Sequence, residues 1–430
     1  MSDARIQPLL AQAGQAAQRG DVAAAVRALE AVLAINPAHP HALNGLGMQA
    51  LARNDNAAAA ELFRRAAAAD PTEPALWMNV ANAERRRGDD AGERAALDAA
   101  LDIDRRHFMA WLRKAELLER LGERGGAAEA WGGVVALADQ AGELPANIAE
   151  AVAHGREFVT DHAARVGEVL DAGLAQLRNG VGPQDRRRFE ACVDIMLGRR
   201  RVFRNECHGV EFPFLPADEF FAREHFPWMG VLEAHTGAIR DEFRALVAGS
   251  DVPLRPYVAQ EAGTPENKWT PLDNSLDWGA IFLEEYGERN AELAARCPET
   301  LAALDAIPRA DMPGRAPTIF FSLLKPKTRI PPHTGVTNLR AIIHLPLIVP
   351  AGCGFRVGGE TREWREGEAF AFDDTIEHEA WNDSDALRAV LIFDVWNPHL
   401  TAAERDLVRT MFAVSDASGL SPAQAKGAGF

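Results

Sequence analysis

The sequence predicts a multidomain chain: an all-α solenoid of repeated helix pairs, then a β domain of the double-stranded β-helix type, a cupin-like jelly roll with flanking helices. Three observations carry that prediction. A 34-residue period runs through the first third, the composition shifts near Val210 from Ala-rich to aromatic and proline-containing, and short β-branched and aromatic runs bounded by Gly, Pro and Asp follow. A length of 430 residues exceeds one ordinary core, and 47% hydrophobic with 25% charged residues is the balance of a globular chain.

The period rests on two series in one register. Gly20, Asn54, Gly88 and Gly122 lie 34 residues apart in short polar breaks between Ala-rich helical stretches. Pro37 and Pro71 keep the same spacing, in Asn36-Pro37 and Asp70-Pro71, with Asp104-Arg105 at the next step; proline there marks where a second helix ends. Small residues at Gly47, Ala81 and Ala115, and at Ala66 and Ala100, let helices approach. Leu43, Trp77 and Trp111, with Leu29, Phe63, Leu97 and Trp131, fill the space between them. A plain Ala-rich bundle needs no such register. The pattern resembles the tetratricopeptide repeat, with four units within residues 1–141, and implies a concave face that holds an extended peptide or protein segment. Residues 142–208 keep helical periodicity without the register and read as capping and connecting helices.

The β domain is placed at 209–414. Helices are predicted around 228–247 and 290–304, and strands at 318–324, 339–347, 354–357, 369–372, 378–382 and 388–395. Residues 415–430, from Asp416 through Ser418, Gly419, Pro422 and Gly427, read as a flexible tail.

A formal charge of -16 argues against a nucleic-acid partner, because phosphate binding needs clustered cations, and the arginine runs at 85–87, 186–188 and 199–201 sit among acidic residues. Cys192, Cys207, Cys297 and Cys353 form no CxxC pair and predict reduced thiols in a reducing compartment. The first thirty residues carry charges among short apolar runs, and the stretch 341–350 is interrupted by His344 and two prolines. No membrane span and a cytoplasmic location are therefore expected.

Two histidines stand out. His333 follows Pro331-Pro332 on a stiff approach to a turn, and His378 sits between Glu377 and Glu379 after Phe372-Asp373-Asp374. Two imidazoles from different jelly-roll strands suit Fe(II), although most isolated histidines are surface or satisfied core residues. Their surroundings carry more. Pro332-His333-Thr334-Gly335-Val336-Thr337-Asn338, the run from Phe372 to Trp381, Arg388, and Asp394-Val395-Trp396-Asn397-Pro398 closely resemble the aspartyl/asparaginyl β-hydroxylase family. The resemblance covers about residues 212–409 and is strongest over 322–396. Animal members also place tetratricopeptide-like repeats before their oxygenase domain.

By that resemblance His333 and His378 match the iron ligands. Gly335 stands where the usual facial triad has Asp or Glu, and the family shows the same glycine, with water in the carboxylate's place. Arg388, ten residues after His378, matches the arginine that grips the distal carboxylate of 2-oxoglutarate. Ser322, His344 and Trp278 match further cosubstrate contacts, and Arg340 and Asp374 match positions near the substrate. Taken singly, each has a plainer reading: salt bridging for Arg340, turn capping for Asp374, a surface charge for Arg388, core for Trp278. One position departs from the family. Alternation puts Arg340, Ile342 and His344 on one strand face, and Ile342 replaces a basic cosubstrate contact, for which Arg340 and Arg356 are the cations at hand.

The resemblance implies a dioxygenase that uses Fe(II), 2-oxoglutarate and O2 to hydroxylate a peptide or protein, at the β-carbon of Asp or Asn. Two alternatives stand beside it. One is an acyl-chain hydroxylase of the same superfamily acting on lipids; the other is a non-catalytic repeat scaffold with a degenerate oxygenase module, an alternative that Ile342 keeps open.

Overall fold

The computed structural model describes residues 4–249 and 251–419. It divides into two compact units, Met1–Val181 and Gly182–Phe430, so the division falls inside the 142–208 segment.

In the first unit Ile6–Gln18 (α1), Val22–Ile35 (α2), Pro40–Ala52 (α3), Asn56–Ala69 (α4), Pro74–Arg87 (α5), Asp90–Ile103 (α6), Phe108–Arg120 (α7) and Arg124–Ala138 (α8) pack as four helix pairs. The 34-residue series has a backbone cause. Gly20, Asn54, Gly88 and Gly122 end the first helix of each pair with φ of 75°, 59°, 72° and 74°, a region in which glycine and asparagine are least strained. Asp21, Asp55 and Asp89 follow and cap the second helix, accepting from the N–H of Ala24, Ala58 and Gly92. Gly47 is small because a Cβ there would come within 2.5 Å of the Phe63 ring. Glu84 and Glu93 are buried charges that the repeat pattern did not reveal. Glu84 bonds Arg64 and Arg87, the latter at 2.6 Å, and Glu93 bonds Arg120 at 2.7 Å. The long helix Ala146–Asn179 (α9) closes the stack as expected of a cap: Val152 is buried against α8, and His154 meets Trp131 edge-on at 5.2 Å.

The second unit has helices Pro183–Met196 (α10), Met229–Ala234 (α11), Thr236–Ala248 (α12), Ala291–Arg296 (α13), Pro298–Asp305 (α14) and Ala402–Ala417 (α15). Its strands are Arg255–Pro256 (β1), Trp278–Glu285 (β2), Glu288–Arg289 (β3), Ile319–Leu324 (β4), Thr328–His333 (β5), Arg340–Ile348 (β6), Cys353–Val357 (β7), Glu360–Arg362 (β8), Phe370–Phe372 (β9), His378–Asn382 (β10) and Arg388–Trp396 (β11). They form two antiparallel sheets. The larger runs β1-β2-β4-β11-β6-β9, with β3 also on β2; the smaller runs β5-β10-β7-β8.

Two-residue alternation sorts the larger sheet's side chains. Ile281, Ile319, Phe321, Ile343, Leu345, Leu391 and Phe393 face Leu232, Ile239, Phe243 and Leu304 of the helices. The intervening residues, Ala280, Phe320, Ile342, Val390 and Ile392, meet Ile330, Phe355, Val357 and Ala380 of the smaller sheet. This second face carries the polar residues of interest.

The six predicted strands are all present. Not foreseen were the short β1, β3 and β8, then β2, which carries Trp278, and β5, whose Pro331 and Pro332 masked it and whose last residue is His333. The predicted tail is corrected in part: Asp416 lies in α15 and pairs with Arg315 at 2.8 Å, because α15 lays Val408 and Phe412 on an apolar cluster. Residues 420–430 lie outside the described residues. Among the described residues no helix is long and apolar enough to cross a membrane.

Candidate active site

A cavity of about 1210 Å³ is lined by both sheets of the second unit, and all eight residues singled out from the sequence reach it: Trp278, Ser322, His333, Arg340, His344, Asp374, His378 and Arg388.

His333 and His378 end β5 and begin β10, where they are cross-strand partners, so pairing register alone brings their rings to 4.0 Å between centroids. Each ring is turned the same way. His333 Nδ1 lies 2.8 Å from the Pro331 carbonyl, and His378 Nδ1 lies 3.0 Å from the Ile376 carbonyl. Those bonds favour the Nδ1–H tautomer, in which Nε2 is the ring nitrogen with a lone pair to offer a metal. Burial also keeps the rings neutral, His333 well below the ordinary imidazole range and His378 pulled down to about 4. Neutral imidazole is the form that binds metal.

Among the described residues no group of three or more His, Cys, Asp or Glu could hold a metal ion. Gly335 is required by packing, since a Cβ on it would collide with the Asp374 carboxylate, and its N–H donates to the Asp374 carbonyl at 2.5 Å. The space a triad acid would fill is already taken by Asp374.

Arg388 lies deeper, 2% exposed. Its Nη2 donates to Ser322 Oγ at 3.2 Å, Trp278 Nε1 donates to the same oxygen at 3.2 Å, and the guanidinium sits over the Trp364 ring at 5.2 Å. Strand register makes this cluster: Ser322 pairs with Ala280 on one side and Val390 on the other, two residues from Trp278 and Arg388. The other cavity arginines are matched by carboxylates: Arg255 by Glu285, Arg289 by Asp305, Arg315 by Asp416, and Arg340 by Asp374 and Asp394. Arg388 has no carboxylate among the described residues, its Nε has no partner, and burial pulls it down to about 10. His344 lies close by, held neutral by burial and by Arg388, with a buried Nδ1 that also lacks a partner. A lone buried guanidinium beside unsatisfied donors is a site prepared for an anion.

Neither stand-in for the basic group missing at Ile342 is spare. Arg356 bonds Glu377 at 3.0 Å and Glu379 at 2.5 Å, and Arg340 bonds Asp394 at 2.9 Å and Asp374 at 3.3 Å. Burial opposes the Arg340 charge, but the two aspartates outweigh it and raise its pKa. The salt bridging read for Arg340 is thus seen, with Asp374 as one of its partners, yet Arg340 Nε and Asp374 Oδ1 remain buried without partners.

Sequence reasoning missed Trp364, which stacks on His344 at 5.5 Å and 10°, and whose charged flanks hid it. It also missed Tyr257. The chain has two tyrosines, Tyr257 and Tyr286, and both line the cavity; Tyr257 stacks on Trp278 at 4.0 Å, its phenol pushed up to about 12 by burial.

Residues 233–398 match the family model described as Aspartyl/Asparaginyl beta-hydroxylase, and residues 10–74 and 46–107 match that of the tetratricopeptide repeat. The chain is 39% identical to the aspartyl/asparaginyl beta-hydroxylase of Homo sapiens over 140 residues, 31% of this chain and 18% of that protein. It is 33% identical to the ornithine lipid ester-linked acyl 2-hydroxylase of Rhizobium tropici over 177 residues, 40% of this chain and 58% of that protein. With aspartate beta-hydroxylase domain-containing protein 2 of Homo sapiens it shares 31% over 205 residues, 47% of this chain and 53% of that protein. The matched region thus spans under a fifth of the human hydroxylase and a little over half of the other two.

Proposed function

Because this chain carries an aspartyl/asparaginyl β-hydroxylase domain together with tetratricopeptide repeats, we propose that it is an Fe(II)- and 2-oxoglutarate-dependent dioxygenase acting on a peptide or protein, at the β-carbon of Asp or Asn. The observation that carries this reading is the pairing of two neutral imidazoles 4.0 Å apart with a buried arginine that lacks a carboxylate, in one cavity. The strand order supports a double-stranded β-helix, since β4-β11-β6-β9 and β5-β10-β7-β8 interleave eight successive strands between two facing sheets.

His333 and His378 would hold Fe(II) through Nε2. When bound, Fe(II) with 2-oxoglutarate and O2 supplies the oxidant that puts oxygen into a C–H bond, with succinate and carbon dioxide as co-products. Arg388 orients the distal carboxylate of 2-oxoglutarate, with Ser322 held by Trp278 as a neutral hydrogen-bond partner and His344 supplying a further polar contact. Ile342, Ile330, Phe355 and Ile392 make the surrounding wall apolar, which excludes water and strengthens each polar contact inside. Arg340 Nε and Asp374 Oδ1 offer one donor and one acceptor to the polar group of the substrate. The repeats would hold the rest of a peptide chain.

Titrating 2-oxoglutarate into the Mn(II)-loaded chain tests the site. Binding in the wild type and its loss in Arg388→Met is expected; a wild type that binds no 2-oxoglutarate overturns the reading in favour of a scaffold. The apolar Ile342 wall, with the similarity to an acyl hydroxylase, favours a lipid as second reading. Mass spectrometry for one added oxygen atom on peptides or on acyl lipids separates the two.

A further inference from the structure

Residues 205–212 lack regular secondary structure and precede the family-matched residues 233–398, yet they run along the loop that leaves His333 and the loop that enters His378. On the loop entering His378, Asn205 Nδ2 donates to Asp373 Oδ2 at 2.7 Å and Thr375 Oγ1 at 2.9 Å, and the Glu206 N–H donates to the Thr375 carbonyl at 2.8 Å. On the loop leaving His333, the Gly209 N–H donates to the Val336 carbonyl at 2.8 Å and the Thr337 hydroxyl donates to the Val210 carbonyl at 2.5 Å. Asn338 then holds Phe212 at both its N–H (2.7 Å) and its carbonyl (2.9 Å). Between these anchors is His208, which lines the cavity. Its Nε2 lies 3.1 Å from Thr334 Oγ1, and Thr334 is buried next to His333.

We propose that residues 205–212 clamp the two loops adjoining His333 and His378 and that His208 is a positioning residue, setting His333 through its hydrogen bond to Thr334. The inference rests on the reading of His333 and His378 as metal ligands. With only two protein ligands, the pose of each ring defines the site; strand register brings the two histidines together, and the loops that leave β5 after His333 and enter β10 at His378 hold the strand ends on which they sit. A segment bonded to both loops fixes what the strands do not. Thr334 leaves the strand immediately after His333, so fixing its side chain fixes the turn out of the ligand.

The test is Co(II) binding to the full chain, with the melting temperature of the metal-free chain recorded beside it. His208→Ala and Thr334→Val are each expected to weaken Co(II) about tenfold, the scale found for partners one step behind a ligand. The double variant should lose no more than either single one, His208→Gln and Thr334→Ser should recover most of the affinity, and the metal-free melting temperature should not move. Wild-type affinity in His208→Ala, additive losses, or a loss matched by a fall in metal-free melting temperature would overturn the proposal. A wild-type chain that binds no Co(II) would remove the metal site itself, and the proposal with it.

Discussion

A guanidinium that is 2% exposed, with no carboxylate beside it among the described residues, is costly to keep, and burial pulls Arg388 down to about 10. That cost is what a ligand would offset. Arg388→Met, of similar length, is expected to hold or raise the melting temperature, because it removes an uncompensated buried charge. The same change should cost about 2–5 kcal/mol of 2-oxoglutarate binding by calorimetry, the range for losing one side of a desolvated charge pair. Gly335 makes the opposite kind of prediction. Gly335→Ala is expected to destabilise the chain by about 1–3 kcal/mol through its collision with Asp374, and Gly335→Asp should weaken metal binding rather than complete a triad. Denaturant melts and metal titration check both. The sequence named these residues through motif and spacing, but could not tell that Arg388 is buried and uncompensated or that Asp374 fills the space beside Gly335. Those are facts about partners across the fold, as is the capture of Arg340 and Arg356 by acids that sequence alone left available.

Elements with clean two-residue alternation were legible: β4, β6 and β11 lie within a residue of where the β-branched and aromatic runs put them, and the same alternation brought Arg340, Ile342 and His344 to one face. β5 was not legible, because two prolines demote a strand that tolerates them at the end of its sheet. α15 was cut short for a similar reason, since the Ser and Gly at its end outweighed the Val408 and Phe412 stripe. The turn before β10 carries a pH prediction. Asp373 is fully buried, accepts from Asn205 and Thr375, and is pushed up to about 7 by burial. A carboxyl raised above its unfolded value near 3.8 contributes stability that is whole below that value and is lost as pH rises through about 7. Melting temperature should therefore fall as pH rises from about 4 to 7 and level off above, and Asp373→Asn should flatten that slope, because the Asn205 amide can turn over to face it. In the repeats, Glu84→Ala should lower stability by about 1–3 kcal/mol, moderated because Arg64 and Arg87 are 43% and 34% exposed and can rehydrate. Binding of 2-oxoglutarate should be unchanged.

At the scale of the whole molecule the sequence disclosed most where one rule repeats. The 34-residue register follows from positive-φ positions that recur at each of the four helix pairs and from Asp caps at the first three, and it placed the array from sequence alone. The 205–212 clamp was invisible, because it has neither periodicity nor a motif and its meaning lies in hydrogen bonds to residues more than a hundred positions away. Chemistry is the claim on which the rest depends. The most direct measurement is conversion of 2-oxoglutarate to succinate by the purified full chain under air, with and without added Fe(II), in the wild type and in His333→Ala and His378→Ala. Iron-dependent succinate in the wild type that is lost in both variants is the predicted result; no iron-dependent succinate in the wild type, or turnover that survives removal of both imidazoles, would contradict it.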